Sequence, residues 1–453
     1  MVYSFLKYLF RIAVKAFFRN KKVLGIENIP NRGPILIVAN HPSTFMDPIV
    51  IATVIPGEVN FIAKAEAFKS KFAQWLLPRF NMIPVYRKQY DPSLMHKNKD
   101  TFRKVFDLLK SGANVLIFPE GISITDRKLK EIKTGAARMA LGAEEERDFN
   151  LNCRIVPVGL TYSDPHKFQS DLVIRIGDPI EVRKYRDMYL SDEVQASKAL
   201  TEEIRLRLES LVVDIQDEAV DLFVSRVETI YKSKLLHEMG YSDRMIDKGL
   251  EVSKMITERI HFFMEQQPER VEITKHKIDH YFQMLERLNL EDRIIRGTDR
   301  KLPVMLQALF WVAYFVIGFP LFVFGAINNY LPYKIPYQIS RLLKAEPQFV
   351  GAIMMVSGTF IFLLFYLVQI IFIQHYFQDV ILTFTYVLLL PISGLFAFRY
   401  WRRFIHIRKR WYYFSLFLRR SRLIANMLVL RENILEDLER GRNEYDKLQE
   451  NIR

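Results

Sequence analysis

Between residues 23 and about 185, short runs of apolar and β-branched residues alternate with longer amphipathic stretches. "PILIVAN", "NFIAKA", "NMIPVYR", "ANVLIFPEG", "CRIVPVGLTY" and "DLVIRIGDPIEV" read as strands, and "PSLMHKNKDTFRKVFDLLKSG" reads as a helix between two of them. Such alternation predicts an α/β domain, a layered sheet with helices around it, over residues 23–190. From 191 to 300 the period changes. "SKALTEEIRLRLESLVVDIQDEAVDLFVSRVETIY" carries many charges at helical spacing and no strand signal, which predicts a helical subdomain.

The stretch 301–400 is different again. "VMLQALFWVAYFVIGFPLFVFGAI" and "FVGAIMMVSGTFIFLLFYLVQIIFI" are free of charge and long enough to cross a bilayer, which takes ~20 residues of helix. "VILTFTYVLLLPISGLFAF" is a third candidate, so two to three spans are expected. Arg293, Arg296, Arg300 and Lys301 precede this block, and Arg399, Arg402, Arg403, Arg408, Lys409 and Arg410 follow it. If both basic flanks are cytoplasmic, the number of crossings is even. Three spans would place the tail outside or require one of them to be re-entrant. Residues 401–453 read as a basic, aromatic interfacial segment followed by an amphipathic helix. At the other end, residues 1–22 place Lys7, Arg11, Lys15 and Arg19 four apart on an apolar rod. Four interior charges argue against a signal or spanning segment and for a membrane-associating amphipathic helix.

Composition narrows the partners. The 453 residues carry a formal net charge of +14, which calls for an anionic partner. Half the residues are hydrophobic and 13% aromatic, too greasy for a soluble nucleic-acid binder, so no nucleic acid is expected. One cysteine, Cys153, excludes an intramolecular disulfide framework and a cysteine-built zinc site, and its apolar neighbours suit a packed residue. His237, His261, His276 and His280 are scattered without metal-ligand spacing. No metal and no bound cofactor is called for. A nucleophile elbow, a Walker phosphate loop and a dinucleotide fingerprint are all missing.

Four stretches could carry chemistry. In "NHPSTFMDP", His41 follows a strand and Asp47 comes six residues later. A histidine can take a proton from a hydroxyl near neutral pH, and a carboxylate on its other ring nitrogen fixes the tautomer. Residues six apart on a straight helix are rotated by about 240° from each other, so the two can meet only across a strand-to-helix turn, with Asn40 at a cap position. On its own the pair is equally a histidine and an aspartate around an ordinary turn. In "FPEGISITDRKLKEIKTGAARMAL", Glu120 and Gly121 end a strand, and Lys133 stands beside a helix start, a plausible anion site. "FNMIPVYRK" delivers Arg87 at a strand end, where a guanidinium suits a phosphate. In "IVPVGLTY", Pro157 interrupts a strand, which favours an edge or a bulge.

In this order, N-H-P-S-T-F-M-D, P-V-Y-R, F-P-E-G and I-V-P-V-G resemble the four motifs of the glycerolipid acyltransferase family, over roughly residues 23 to 185. The resemblance implies that His41 is the general base on an acceptor hydroxyl and Asp47 its orienting partner. It implies that Asn40, Arg87, Glu120, Gly121 and Lys133 hold a glycerol-phosphate acceptor, and that Pro157 belongs to the acyl-side wall. The donor would be acyl-CoA or acyl carrier protein, and the acceptor glycerol 3-phosphate, 1-acylglycerol 3-phosphate, dihydroxyacetone phosphate or another lysolipid. The enzyme would work among membrane lipids with its site on the cytoplasmic side. Two departures stand out: five residues, not four, separate His41 from Asp47, and Ile122-Ser123 replaces the common Thr-Arg after F-P-E-G. Both look more like the fungal-type glycerol-3-phosphate/dihydroxyacetone-phosphate acyltransferases. A non-catalytic lipid-binding membrane protein and a transporter are the rivals from other classes.

Overall fold

A computed structural model describes residues 2–31, 33–86, 92–296, 304–419 and 421–452. Arg300 and Lys301 of the basic flank lie outside them. The chain divides into two compact units, Met1–Gln216 with Ile339–Thr359, and Asp217–Gln338 with Phe360–Arg453.

The first unit is built on one sheet. Its strands are β1 (Phe18–Leu24), β2 (Ile35–Ala39), β3 (Val59–Lys64), β4 (Met82–Val85), β5 (Asn114–Ile117), β6 (Arg154–Tyr162), β7 (Ser170–Ile176) and β8 (Ile180–Glu181). Their order is β1-β7-β6-β2-β5-β3-β4, with β8 pairing β6. The first helices are α1 (Val2–Phe17), α2 (Met46–Val54), α3 (Lys71–Leu76), α4 (Asn98–Lys110), α5 (Gly135–Glu145), α6 (Arg186–Ser191) and α7 (Glu193–Leu211). Strand β2 runs parallel to both β5 and β6. The C-terminal ends of these three strands therefore share one edge of the sheet, where open α/β sheets bind their ligands.

Every residue of β2 is buried, as suits a strand covered on both faces. Alternate residues feed two cores. Leu36 and Val38 pack with Val115, Ile155 and residues of α4, α5 and α7. Ile37 and Ala39 pack with Val156, Val158 and residues of α1 and α2.

The sequence reading ends the sheet domain at 190. The structure adds α7 to this unit, because Ala196, Leu200, Ile204 and Leu208 form a fully buried stripe at four-residue spacing. The amphipathic helix expected over residues 1–22 stops at Phe17. Phe18–Leu24 instead joins the sheet edge as β1, parallel to β7. Ladder pairing and a fork from Arg19 onto Asp171 (2.6 and 3.2 Å) outweigh continuing the helix. The basic stripe is broken accordingly: Lys7 turns inward to the carbonyls of Ile55 and Gly57 (2.7 and 2.5 Å). The outer surface of α1 carries Val2, Phe5, Tyr8 and Ile12, all exposed.

Pro157 is neither on an edge strand nor exposed. It sits in interior β6, in register with Val38 of β2. Its missing N–H falls where the antiparallel partner of β6 changes from β7 to β8. There the Pro157 carbonyl still accepts from Gly177 N (2.9 Å). The chain break between two partners thus tolerates the proline as a bulge would.

The second unit is helical. It holds α8 (Glu218–Glu238), α9 (Ile246–Gln266), α10 (Pro268–Arg287) and α11 (Asp292–Arg296), then most of α12 (Val304–Leu342), the later part of α13 (Pro347–Phe377), α14 (Val380–Arg419) and α15 (Ser421–Ile452). Asp292, 2% exposed, takes the Tyr281 hydroxyl (2.8 Å) and the Arg431 guanidinium (2.7 Å), which ties α10, α11 and α15 together. Three helices, Leu309–Leu342, Pro347–Phe377 and Val380–Leu416, are long and apolar enough to cross a membrane. Ile317, Ile327, Leu364, Ile371 and Ile381 are among the large apolar side chains they leave uncovered, which suits a lipid surface and not water. The basic segment after residue 400 continues α14 without a break as far as Arg419.

Candidate active site

The site lies at the C-terminal edge of β2, β5 and β6. β2 gives out at Ala39. Asn40 then extends the ladder with its side chain: Oδ1 accepts from Leu160 N (2.7 Å) and Nδ2 donates to Leu160 O (3.0 Å). Asn40 thus fastens the end of β2 to β6 and does not cap α2, whose N-cap position is Phe45. His41 is the next residue, and the chain turns into α2 with Asp47 in its first turn.

His41 Nδ1 lies 2.9 Å from Asp47 Oδ2. Asp47 is fully buried. A bare buried carboxylate would be costly, and this one is satisfied three ways. Besides the imidazole it accepts from Ser43 N (2.7 Å) and from the Tyr162 hydroxyl (2.7 Å). Burial, and the adjacent Asp47 charge, raise the pKa of the Tyr162 phenol well above its ordinary value, so it stays a neutral donor. The imidazole stacks on Phe118, with centroids 3.9 Å apart and planes 13° off parallel. Phe118 and Asp47 together fix the ring plane, and Nε2 is the nitrogen left to face a reactant.

Glu120 stands beneath the same histidine. Its Oε1 accepts from His41 N (3.2 Å) and its Oε2 from Lys130 N (3.4 Å). It is 5% exposed, and burial pushes its pKa up to about 7 against the pull of these two N–H groups. Gly121 has φ +70°, and the Lys133 side chain lies 3.7 Å from where its Cβ would be. The positive φ favours glycine at that turn, while the lysine stem lies at an ordinary van der Waals distance. Lys133 is exposed and among the described residues forms no ion pair, whereas Lys130 pairs with Asp126 (2.5 Å).

The loop from His41 to Asp47 is braced from two sides. Thr44, in the left-handed region at φ 37°, donates N–H to Ser123 Oγ (2.8 Å). Thr125 Oγ1 donates to Pro42 O (2.8 Å). Ser123, which stands where the family commonly has arginine, is therefore a loop brace here.

The structure thus brings His41, Asp47, Asn40, Glu120, Gly121 and Lys133 to one edge of the sheet. Pro157 is not brought in: strand alternation puts it on the opposite face of β6 from Val156 and Val158, which line the core that covers α2. Arg87 lies outside the described residues. Tyr162, Phe118, Ser43, Ser123 and Thr125 escape the sequence reading. Only Tyr162 carried a signal, as a hydroxyl closing a strand that runs parallel to β2.

The Acyltransferase family model matches residues 20–161. Glycerol-3-phosphate O-acyltransferase 1 of Saccharomyces cerevisiae is 31% identical over 207 residues, 43% of this chain and 25% of the yeast protein. The chloroplastic 1-acyl-sn-glycerol-3-phosphate acyltransferase LPAT1 of Arabidopsis thaliana is 30% identical over 130 residues, 28% of this chain and 34% of the plant protein. The chain thus spans a quarter to a third of the length of these two relatives. The crystal structure of the 1-acyl-sn-glycerophosphate acyltransferase from Thermotoga maritima aligns at TM-score 0.34 and 22% identity, covering 46% of this chain and 80% of that one. His41, Asp47 and F-P-E-G all lie inside the segment, residues 20–161, that matches the Acyltransferase family model.

Proposed function

We propose that this protein is a membrane acyltransferase that moves a fatty acyl group from a thioester to a hydroxyl of a glycerol-phosphate acceptor in phospholipid synthesis. The observation that carries the reading is the 2.9 Å contact between His41 Nδ1 and a fully buried Asp47. It matches the base and orienting carboxylate of a serine hydrolase with the serine taken away. Ser43, the hydroxyl nearest in the chain, is 1% exposed and so closed to a substrate. The nucleophile is then the acceptor's own hydroxyl.

His41 Nε2 takes the proton from that hydroxyl as its oxygen attacks the thioester carbonyl. Asp47 holds the imidazolium that forms, and the proton passes on to the departing thiolate. Lys133, exposed at the same edge, and Arg87 are the cations offered to the acceptor phosphate. The donor is acyl-CoA or acyl carrier protein. Glycerol 3-phosphate and 1-acylglycerol 3-phosphate are the first acceptors, with dihydroxyacetone phosphate as the alternative. The arginines before the apolar block, Arg293 and Arg296, support an integral membrane protein with its site on the cytoplasmic side.

The test is direct. Full-length protein in membranes receives labelled acyl-CoA and, separately, each of the three acceptors. We expect product on at least one, and none from His41→Ala with unchanged expression. Transfer by His41→Ala at the wild-type rate would falsify the mechanism. No product on any acceptor would favour the non-catalytic lipid-binding alternative.

A further inference from the structure

Thr44 is the corner of the His41–Asp47 loop, 6% exposed and left-handed, a conformation a β-branched residue rarely adopts. Such a corner persists only where its surroundings over-determine it. One brace is Ser123. The other comes from three hundred residues downstream, at the start of α13: Thr44 Oγ1 donates to the Gln348 carbonyl (3.2 Å). The neighbouring contacts repeat the pattern. The Phe45 and Phe349 rings lie 6.3 Å apart, and the Lys64 ammonium sits 5.8 Å from the Phe349 ring. Ala352 and Met355 are buried in the same core as Met46 and Val50. Gly351 allows this approach. A Cβ there would stand 1.8 Å from Pro165 O and 2.9 Å from Met46 Cε, so no other residue fits without moving the helix away.

We propose that the first turns of α13, from Gln348 to Met355, are a positioning element of the acyltransfer site. They hold the Thr44 corner, and through it keep Asp47 on His41. Catalytic competence is thereby tied to the docked state of a helix that goes on to be one of the three long enough to span a bilayer. The inference rests on the acyltransfer reading above.

Two full-length variants in phospholipid nanodiscs test it, Gly351→Leu and Thr44→Val. The readouts are kcat and KM with acyl-CoA and the acceptor the wild type uses, the pH dependence of kcat, and hydrogen exchange over 41–48 and 347–355. For Gly351→Leu we expect faster exchange in both segments and kcat down ten-fold or more. KM should change by less than three-fold. The acid limb of kcat should move to lower pH, because the imidazolium loses its carboxylate. For Thr44→Val we expect a three- to ten-fold loss in kcat in the same direction. Faster exchange over 347–355 with wild-type kcat overturns the proposal. Unchanged exchange in Gly351→Leu overturns it too, since the close approach on which it rests would then be absent. Should Gly351→Leu fail to fold, Thr44→Val at wild-type kcat has the same force. An inactive wild type would instead strike at the acyltransfer reading itself.

Discussion

The Tyr162 hydroxyl donates to Asp47 Oδ1 at 2.7 Å, on the oxygen that His41 does not use. The two carboxylate oxygens are thus divided between a fixed neutral donor and the imidazole, and Asp47 cannot rotate without losing both. Tyr162→Phe removes the donor while keeping the ring. A hydrogen bond to a charged group is worth about 1.5–3 kcal/mol, so kcat should fall roughly ten- to a hundred-fold with KM little changed. The carboxylate, less satisfied, would hold the imidazolium more strongly, so the acid limb of the pH–rate profile should move up. An unshifted limb at wild-type kcat would count against this coupling.

Asp47→Asn tests the pair more severely. Ser43 N and the Tyr162 hydroxyl both donate toward this side chain, and His41 needs an acceptor there. A carboxamide offers one acceptor and one donor, so one partner is left facing an N–H. Loss of kcat on the order of 10³–10⁴-fold is expected from the corresponding change in a serine protease triad. Single-turnover rates at saturating acyl-CoA would measure it.

Glu120 predicts a pH dependence of stability. Its folded pKa, raised to about 7 by burial, lies above the ordinary 4.5. The folded chain therefore binds this proton more tightly than the unfolded one. The contribution of Glu120 is fully favourable below pH 4.5 and is lost as the pH rises through 7, by at most about 3 kcal/mol. Glu120→Gln should flatten that slope between pH 5 and 7.5. Thermal midpoints of the two proteins across this range decide it, and parallel curves would refute the assignment.

Asn40→Ala separates a structural from a substrate-binding role. Both polar groups of Asn40 are spent on the main chain of Leu160. Removing them leaves a buried N–H and carbonyl unpaired, at about 1–3 kcal/mol of stability. KM for the phosphorylated acceptor should stay within about two-fold, while kcat falls because His41 is adjacent to the released strand end. A large rise in KM with unchanged stability would restore Asn40 to the acceptor site.

The sheet was largely legible. β2, β3, β4, β5 and β6 lie within short apolar or β-branched runs, and local patterning suffices to mark them. β1 was not, because "FRNKKVL" has no alternation of its own and becomes a strand by pairing with β7. The helical stripe of α7 was legible as a helix, but not its unit, since an apolar face does not name the surface it will cover. Asn40 and Glu120 were picked out by motif, but their bonds to the main chain of Leu160, His41 and Lys130 were not legible. Side chains with two hydrogen-bonding groups can serve substrate or backbone equally well until the backbone is placed.

By itself the sequence marked the His41–Asp47 pair, the α/β class and the apolar block, because each is written in residues close along the chain. His41 and Asp47 belong to one strand-to-helix turn, and a spanning helix is a contiguous run. What only the tertiary structure decided is everything that crosses between strands and distant helices. Tyr162 reaches Asp47 from 115 residues away, and Gln348 reaches Thr44 from 304. Those contacts depend on strand order and on the closeness that Gly351 permits, and neither is encoded in any local period.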